Sequence, residues 1–338
     1  MVQQAIFKII RSFLLLIPAI QVTGWTLGAN HNPVVRRDEM VGPLLSFASV
    51  ACLSSPAFAD DVETITSSPV EVVISGDAKK LFNEGRVREG QGNIEAALRL
   101  YSKVTKISPR FVYGWSNLGN AQVALGILDP AEEAYSKAIQ LCEENLRETE
   151  SAFGVRKCDD LYVLLLNRGS LRLNNNRPQD ALSDLARASS IRGKPDAVVA
   201  QNLARAKELN GQYGSADRDY GLAISMTANE VSPFWLRAAL VKLQLGDVRG
   251  GMDLVKRVEN RFPEAPEVRA AYATFLALTG DQIAAQRKYL EIPDRQRLKY
   301  VSDDYLNNKI SWPPAAIAGL RKITDVVEKG QSMSSNST

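Results

Sequence analysis

Small residues and large apolar residues recur along residues 78–299 at a nearly constant spacing. The clearest marker is one small residue between two apolar stretches, and successive markers are 34, 50, 35, 35 and 34 residues apart. A period of about 34 residues is typical of a stacked helix-turn-helix unit. Glycine, and next asparagine, adopts the left-handed conformation that ends a helix, so each marker is predicted to end a first helix. The markers are Gly92, Gly126, Asn176, Gly211, Gly246 and Gly280.

The composition favours the same architecture. Hydrophobic residues make up 45% of the 338-residue chain, which is enough for a continuous core, but aromatic residues make up only 7%. A low aromatic content suits helices that pack through small residues better than it suits a β-sandwich. The prediction is an all-α solenoid of about six helix pairs.

Further positions keep the same register within each unit. In the second unit, with Gly126 counted as position fifteen, Leu118 is large, Gly119 and Ala131 are tiny, and Tyr135 is aromatic. These residue types at these spacings resemble the tetratricopeptide repeat (TPR) family, and the other five units match it in register. The resemblance covers roughly two thirds of the chain. It implies a superhelix that binds other proteins, without chemistry in its core residues.

By the same resemblance, the first helices line the concave face of the superhelix, and a peptide partner would bind in that groove. Position six carries asparagine in four successive units, and carboxamides can pair with the amide groups of an extended peptide. Asparagine is also common at this position in the family, so a purely structural role is the alternative. A clamp for chaperone tails is not expected, because Phe82 stands where it needs a lysine. The predicted groove residues are Asn83, Arg86, Asn117, Asn120, Asn167, Asn202, Arg205 and Arg237.

Charge and histidine content argue against nucleic-acid binding and against catalysis. Removing the first 59 residues takes away four of the 41 basic and two of the 38 acidic residues, which leaves 37 against 36. The single histidine, His31, lies in a predicted presequence, so a mature chain would have no serine–histidine, cysteine–histidine or histidine–zinc site. No phosphate-binding glycine loop occurs either. We expect a non-enzymatic protein with no cofactor and no metal; an enzyme, or the targeting subunit of one, is the alternative.

Residues 1–59 are predicted to be a targeting presequence. The pair Arg36-Arg37 precedes an apolar run at 41–53, and Ala57-Phe58-Ala59 offers small residues where a signal peptidase cleaves. The apolar run is too short for a permanent membrane helix; a buried N-terminal helix is the alternative. The twin arginine favours the Tat route over the Sec route. The mature chain would begin at Asp60, and residues 60–77 would form a flexible tether.

About 35 residues precede this signal, an arrangement similar to the two-part presequences of plant thylakoid-lumen proteins. The resemblance implies a chloroplast transit peptide at 1–33 and a mature protein in the thylakoid lumen, where it would assist the assembly or maintenance of complexes. The segment is apolar and poor in serine, which departs from that pattern. A secretory signal, an anchor and a wrongly assigned start are alternatives, as is a periplasmic or secreted location.

The interval of 50 residues between units two and three indicates an insertion at about 143–159. The helix-prone start of the insertion predicts a lengthened second helix that ends at Gly154. Two cysteines, Cys142 and Cys158, flank the insertion. In an exported compartment they could form a disulfide across its base, and two inert packing cysteines are the alternative.

The chain after unit six is predicted to cap the array at residues 300–329. The final helix would start at Pro313-Pro314 and present Ile317, Leu320 and Ile323, with Val326 or Val327, on one face. A terminal repeat needs such a helix to cover its apolar side. Residues 330–338 are polar and are predicted to be a disordered tail.

Overall fold

The computed structural model describes residues 74–153, 158–227 and 230–335, with the backbone alone at 148–153 and 328–335. All regular structure in these ranges is helical, and twelve helices form six consecutive pairs, repeats 1 to 6. The presequence and the tether up to residue 73 lie outside the described residues. The pairs are α1 (Gly76–Gly90) and α2 (Ile94–Ile107), α3 (Val112–Ala124) and α4 (Leu128–Phe153), α5 (Leu161–Asn174) and α6 (Pro178–Arg192), α7 (Ala197–Leu209) and α8 (Tyr213–Met226), α9 (Phe234–Gln244) and α10 (Val248–Arg261), and α11 (Pro266–Leu278) and α12 (Gln282–Leu290).

All six turn markers have a left-handed backbone, which confirms the predicted periodicity. The φ angle is 54° at Asn176 and lies between 71° and 96° at the five glycines. In several repeats the next residue then caps the second helix. The Asn93 side chain accepts a hydrogen bond from the backbone N–H of Ala96, and Asp281 accepts one from that of Ala284. The marker and the residue after it therefore define the turn between the two helices.

Tiny residues at position eight bring the two helices of a repeat into contact. A Cβ atom added at Gly119 would lie 2.8 Å from Cε1 of Tyr135, and one at Gly85 would lie 2.6 Å from Cε1 of Tyr101. Both tyrosine rings are fully buried and cannot move aside. The small residues predicted at these positions are therefore required by the packing.

The predicted insertion lengthens the second helix of repeat 2. Helix α4 has 26 residues and ends at Phe153, directly before the predicted stop. Cys142 and Cys158 are both buried and are joined by a disulfide, with Cα atoms 5.7 Å apart. This separation is in the usual range for a disulfide. The bond closes the base of the insertion, whose residues 154–157 are outside the described ranges.

After repeat 6 the chain turns back onto the first helices and adds no seventh layer. A short helix α13 (Asp294–Arg297), a 3-10 turn (Leu298–Val301) and a π-helical turn (Tyr305–Lys309) lead to α14 (Pro314–Ser335). Helix α14 packs mainly against α11 and also contacts α9 and α12. The predicted cap is present, but it lies mainly against first helices and less against α12.

Two predicted boundaries differ from the structure. Helix α1 begins at Gly76 and Ile74 is buried in one cluster with Ala78, so the end of the predicted tether is packed against repeat 1. Helix α14 continues past Gly330 to Ser335, so the tail predicted to be disordered is helical up to that residue. Among the described helices, none is long and apolar enough to cross a bilayer.

Candidate peptide-binding groove

The predicted groove residues on the first helices are mostly buried. At position six only Asn83 is exposed, whereas Asn117, Asn167, Asn202 and Arg237 are 7%, 1%, 1% and 6% exposed. At position nine, Asn120 is 1% exposed, and Arg86 and Arg205 are half-buried. Five of the eight predicted groove side chains are therefore buried.

The buried asparagines form hydrogen bonds between neighbouring repeats. Nδ2 of Asn167 donates to Oδ1 of Asn120 at 3.4 Å, and the Ser170 hydroxyl donates to Oδ1 of Asn202 at 3.3 Å. Nδ2 of Asn202 also donates to the carbonyl of Val198 at 2.9 Å. The first helices of repeats 2, 3 and 4 are close enough for these side chains to bond across the repeats. The bonds satisfy polar groups that burial would otherwise leave at a cost of about 1–3 kcal/mol each.

Tyrosine hydroxyls of the second helices form further hydrogen bonds with buried polar side chains of the first helices. Position 24 on the second helix is a buried tyrosine in repeats 1, 2, 4 and 6. In repeats 1, 2 and 4 its hydroxyl donates to a side chain of the first helix. Tyr101 donates to Glu89 at 2.7 Å, Tyr135 to Asn120 at 2.8 Å, and Tyr220 to Glu208 at 2.8 Å. Sequence reasoning assigned these tyrosines to apolar packing and missed both acids. A buried phenol needs a partner, and that requirement was the available signal.

An ion network crosses the first helices of repeats 4 to 6. Arg237 of α9 pairs with Glu208 of α7, and its Nη1 lies 3.9 Å from Oε1 of Glu267 on α11. Arg205 Nη1 also pairs with Glu208, at 2.9 Å. Burial alone would raise the pKa of Glu208, but Arg205 and Arg237 hold that pKa below its ordinary value. Burial likewise opposes the charge of Arg237, and the charge of Glu208 raises the Arg237 pKa.

Arg237 also binds peptide backbone, although the peptide belongs to the same chain. Its guanidinium donates to the carbonyls of Ile310 at 3.2 Å and Ser311 at 2.7 Å. The next residue, Trp312, donates its indole N–H to Oε1 of Glu267 at 2.9 Å. Arg237, one of the predicted groove residues, thus contacts the backbone of the returning chain. Glu267, which sequence reasoning missed, contributes to the same contact.

A cavity of about 210 Å³ lies at the edge of this contact. On one side it is lined by the ends of repeats 3 and 4, including Asn176, Pro178 and Tyr213. On the other side it is lined by the returning chain, including Asn307, Asn308 and Trp312.

At the N-terminal end of the row of first helices, the predicted groove residues are more exposed. Asn83 is exposed and Arg86 is half-buried on α1, so the structure does not bring them into the buried network of repeats 2 to 6. Burial raises the pKa of the nearby Glu89, and the hydrogen bond from Tyr101 and the charge of Arg86 oppose this rise.

Over the described ranges, no group of three or more histidine, cysteine or acidic side chains could hold a metal ion.

The tetratricopeptide repeat family model matches residues 112–145, which correspond to repeat 2. The chain is 28% identical over 195 residues to the DnaJ homolog subfamily C member 7 homolog of Schizosaccharomyces pombe, covering 55% of this chain and 37% of that protein. It is 23% identical over 256 residues to the protein CTR9 homolog of Arabidopsis thaliana, covering 67% of this chain and 23% of that protein. The chain therefore spans well under half the length of these curated relatives.

Two solved structures share the architecture. A chain of the APC/C hetero-tetramer Cut9–Hcn1 superposes with a TM-score of 0.52 at 15% identity, covering 73% of this chain and 42% of that one. The type IV pilus biogenesis factor PilW has a TM-score of 0.52 at 13% identity, covering 70% of this chain and 100% of that one. At these identities the likeness concerns the fold, which is an all-α TPR superhelix.

Proposed function

We propose that this TPR superhelix is a non-enzymatic scaffold that binds a peptide segment of a protein partner along its row of first helices. The observation that carries the proposal is the contact of Arg237 with two successive backbone carbonyls, those of Ile310 and Ser311. Backbone carbonyls are common to all peptides, so the same row can hold a segment of another protein.

The part of the row open to a partner is its N-terminal end. Asn83 is exposed and Arg86 is half-buried, so both can reach an incoming chain. A carboxamide both donates to and accepts from peptide groups, and a guanidinium favours an acidic residue beside them. We infer a partner segment with some acidic character at this end.

Partner capture tests the proposal. The mature chain from Asp60 is used as bait for proximity labelling in its compartment, beside a double variant, Asn83→Ala with Arg86→Ala. The double variant should lose at least tenfold in partner labelling, because it removes both open groove contacts. The matched control is Arg249→Ala, an exposed arginine on the second helix α10, and it should label as the unchanged chain does. Equal labelling by all three proteins would place the binding surface elsewhere.

We further propose that the scaffold works in the thylakoid lumen and assists the assembly or maintenance of protein complexes there. The support is the order of the sequence motifs, with the twin arginine, the apolar run and Ala57-Phe58-Ala59 in front of Asp60. N-terminal sequencing of the native protein should find Asp60. A native chain that starts at Met1, or inside repeat 1, would contradict this processing.

A second candidate is an exported adaptor, or the targeting subunit of an enzyme, in a periplasmic or secreted location. The apolar, serine-poor segment 1–33 favours it, since that composition departs from a transit peptide. Fusing residues 1–59 to a fluorescent reporter separates the two: import into isolated chloroplasts supports the lumen, and secretion supports the adaptor.

A further inference from the structure

Residues 302–313, which we call the plug, cover the first helices of repeats 5 and 6. Three of its side chains, Leu306, Ile310 and Trp312, are buried in one cluster with Leu236 and Leu240 of α9. Leu240 is four residues after Leu236 and three after Arg237, so both leucines lie on the face of α9 that carries Arg237. The C-terminal half of the groove therefore has an apolar floor that the chain itself covers.

The polar contacts of the plug have the form of peptide recognition. Arg237 donates to the carbonyls of Ile310 and Ser311, and Glu267 accepts the indole N–H of Trp312. Gln244 of α9 accepts the backbone N–H of Ala315, at 2.8 Å, just after the plug. Two of the three plug groups in these contacts are backbone carbonyls, and the group of Ala315 is a backbone N–H. Most of the contact therefore does not depend on the side chains of the plug. The indole is the sequence-specific contact.

The charged side chains of the first helices neutralise one another at this site. The two cations, Arg205 and Arg237, face the two anions, Glu208 and Glu267, and all four belong to the first helices α7, α9 and α11. A ligand at this site therefore needs hydrogen-bonding groups and apolar side chains, and it needs no charge of its own.

The plug is held in an unfavourable backbone conformation beside an open space. Ser311 has a φ angle of 47°, a left-handed conformation that costs free energy for a residue other than glycine. The preceding turn, Tyr305–Lys309, is π-helical, which is rare in proteins. The cavity described above adjoins the plug at Asn307, Asn308 and Ser311. Release of the plug relieves the strain at Ser311.

We propose that the plug is a built-in competitor at a second peptide site, formed by Leu236, Arg237 and Glu267. The site takes an uncharged partner segment that has an apolar residue, then any one residue, then tryptophan and proline. The backbone carbonyls of the two residues before the tryptophan accept from Arg237. Such a segment enters when the plug leaves. This inference rests on the proposed function, since it assigns the regulation and the ligand class of the same groove.

The test uses a fluorescein-labelled peptide that copies Ser302–Ala315 and measures its anisotropy with the mature chain. In the variant Trp312→Phe the plug keeps its aromatic packing but loses the hydrogen bond to Glu267. This variant should bind the peptide at least tenfold more tightly than the unchanged chain does. The matched control is Trp115→Phe, which removes an indole hydrogen bond to the carbonyl of Pro109 in repeat 2, far along the chain from the plug. The control should bind as the unchanged chain does.

Two further arms decide the outcome. Adding Glu267→Met, which removes the acceptor of the indole N–H, to Trp312→Phe should reverse the gain, and a peptide with phenylalanine in place of its tryptophan should bind the Trp312→Phe chain at least fivefold more weakly. The proposal is overturned if Trp312→Phe gains no more than Trp115→Phe, or if the gain survives Glu267→Met.

Hydrogen–deuterium exchange of the unchanged chain covers the case in which Trp312→Phe does not fold. Excess peptide should accelerate amide exchange in 302–313 while leaving α3 and α5 unchanged, and unaltered exchange in the plug would overturn the proposal. None of these arms uses the natural partner. A negative result in these arms would therefore overturn the plug proposal without bearing on the proposed function. A negative result in the capture experiment with the Asn83 and Arg86 variant would contradict the proposed function without bearing on the plug.

Discussion

The buried pair of Glu208 and Arg237 offers the sharpest test of how the row of first helices is held together. Glu208 accepts from Tyr220 and pairs with Arg205 and Arg237, and both members of the pair are less than 10% exposed. We consider Glu208→Gln, Arg237→Met and the double variant. Glu208→Gln preserves the shape of the side chain while it removes the negative charge between two cations.

The magnitude follows from leaving a charge buried without its partner. Breaking such a pair by removing one member costs about 3–5 kcal/mol, whereas removing both members costs much less than the sum. In a chain of this size, 1 kcal/mol moves the melting temperature by roughly 2–4 °C, so each single variant should melt roughly 6–20 °C lower. Arg237→Met should lie at the upper end, because it also removes the two carbonyl contacts to Ile310 and Ser311.

The assay is thermal and urea unfolding followed by circular dichroism at pH 7, arranged as a double-mutant cycle. The matched control is Glu84→Gln, which breaks the surface pair with Arg88, whose members are 50% and 44% exposed. This control should cost no more than about 1 kcal/mol. If Glu208→Gln costs no more than Glu84→Gln, or if the two single effects add within about 0.5 kcal/mol, the pair does not hold the row together.

Three other predictions follow from local contacts. Mass mapping of unreduced native protein should find the peptides of Cys142 and Cys158 joined, and reduction should cost about 3 kcal/mol for a loop of about fifteen residues; separate peptides would contradict the bond. Gly119→Ala should destabilise by about 1–3 kcal/mol because it meets a buried tyrosine ring, whereas Gly221→Ala, with nothing within 4 Å, should stabilise by about 0.5–1 kcal/mol; equal effects would refute the packing argument. Because the pKa of Glu208 is lowered from 4.5 on folding, its stabilisation is present above that pH and is lost as pH falls through the folded pKa. Glu208→Gln should therefore flatten the acid side of the melting-temperature curve against pH, and an unchanged curve would argue against it.

Local sequence was sufficient for the repeat architecture, because each repeat is specified by short-range steric requirements. Glycine and asparagine adopt the left-handed turn most readily, as the φ angle of 54° at Asn176 illustrates. Likewise, only a tiny residue fits against the buried ring of Tyr135, so Gly119 could be assigned to a helix contact from spacing alone. The long helix α4 followed from the same reasoning, since an insertion rich in helix-forming residues extends the helix it joins.

The accessibility of the groove depended on tertiary structure, because burial is decided by distances between repeats that no single repeat encodes. Asn167 and Asn120 are 47 residues apart in sequence, and only the stacking of repeats 2 and 3 brings their side chains to 3.4 Å. The closure of the C-terminal half is still less local. Arg237 reaches the carbonyl of Ser311 across 74 residues, where the chain returns over α9 and α11 without continuing the stack. Periodicity along the chain therefore determined which residues form the row of first helices, and long-range packing determined which of them remain free to bind a partner.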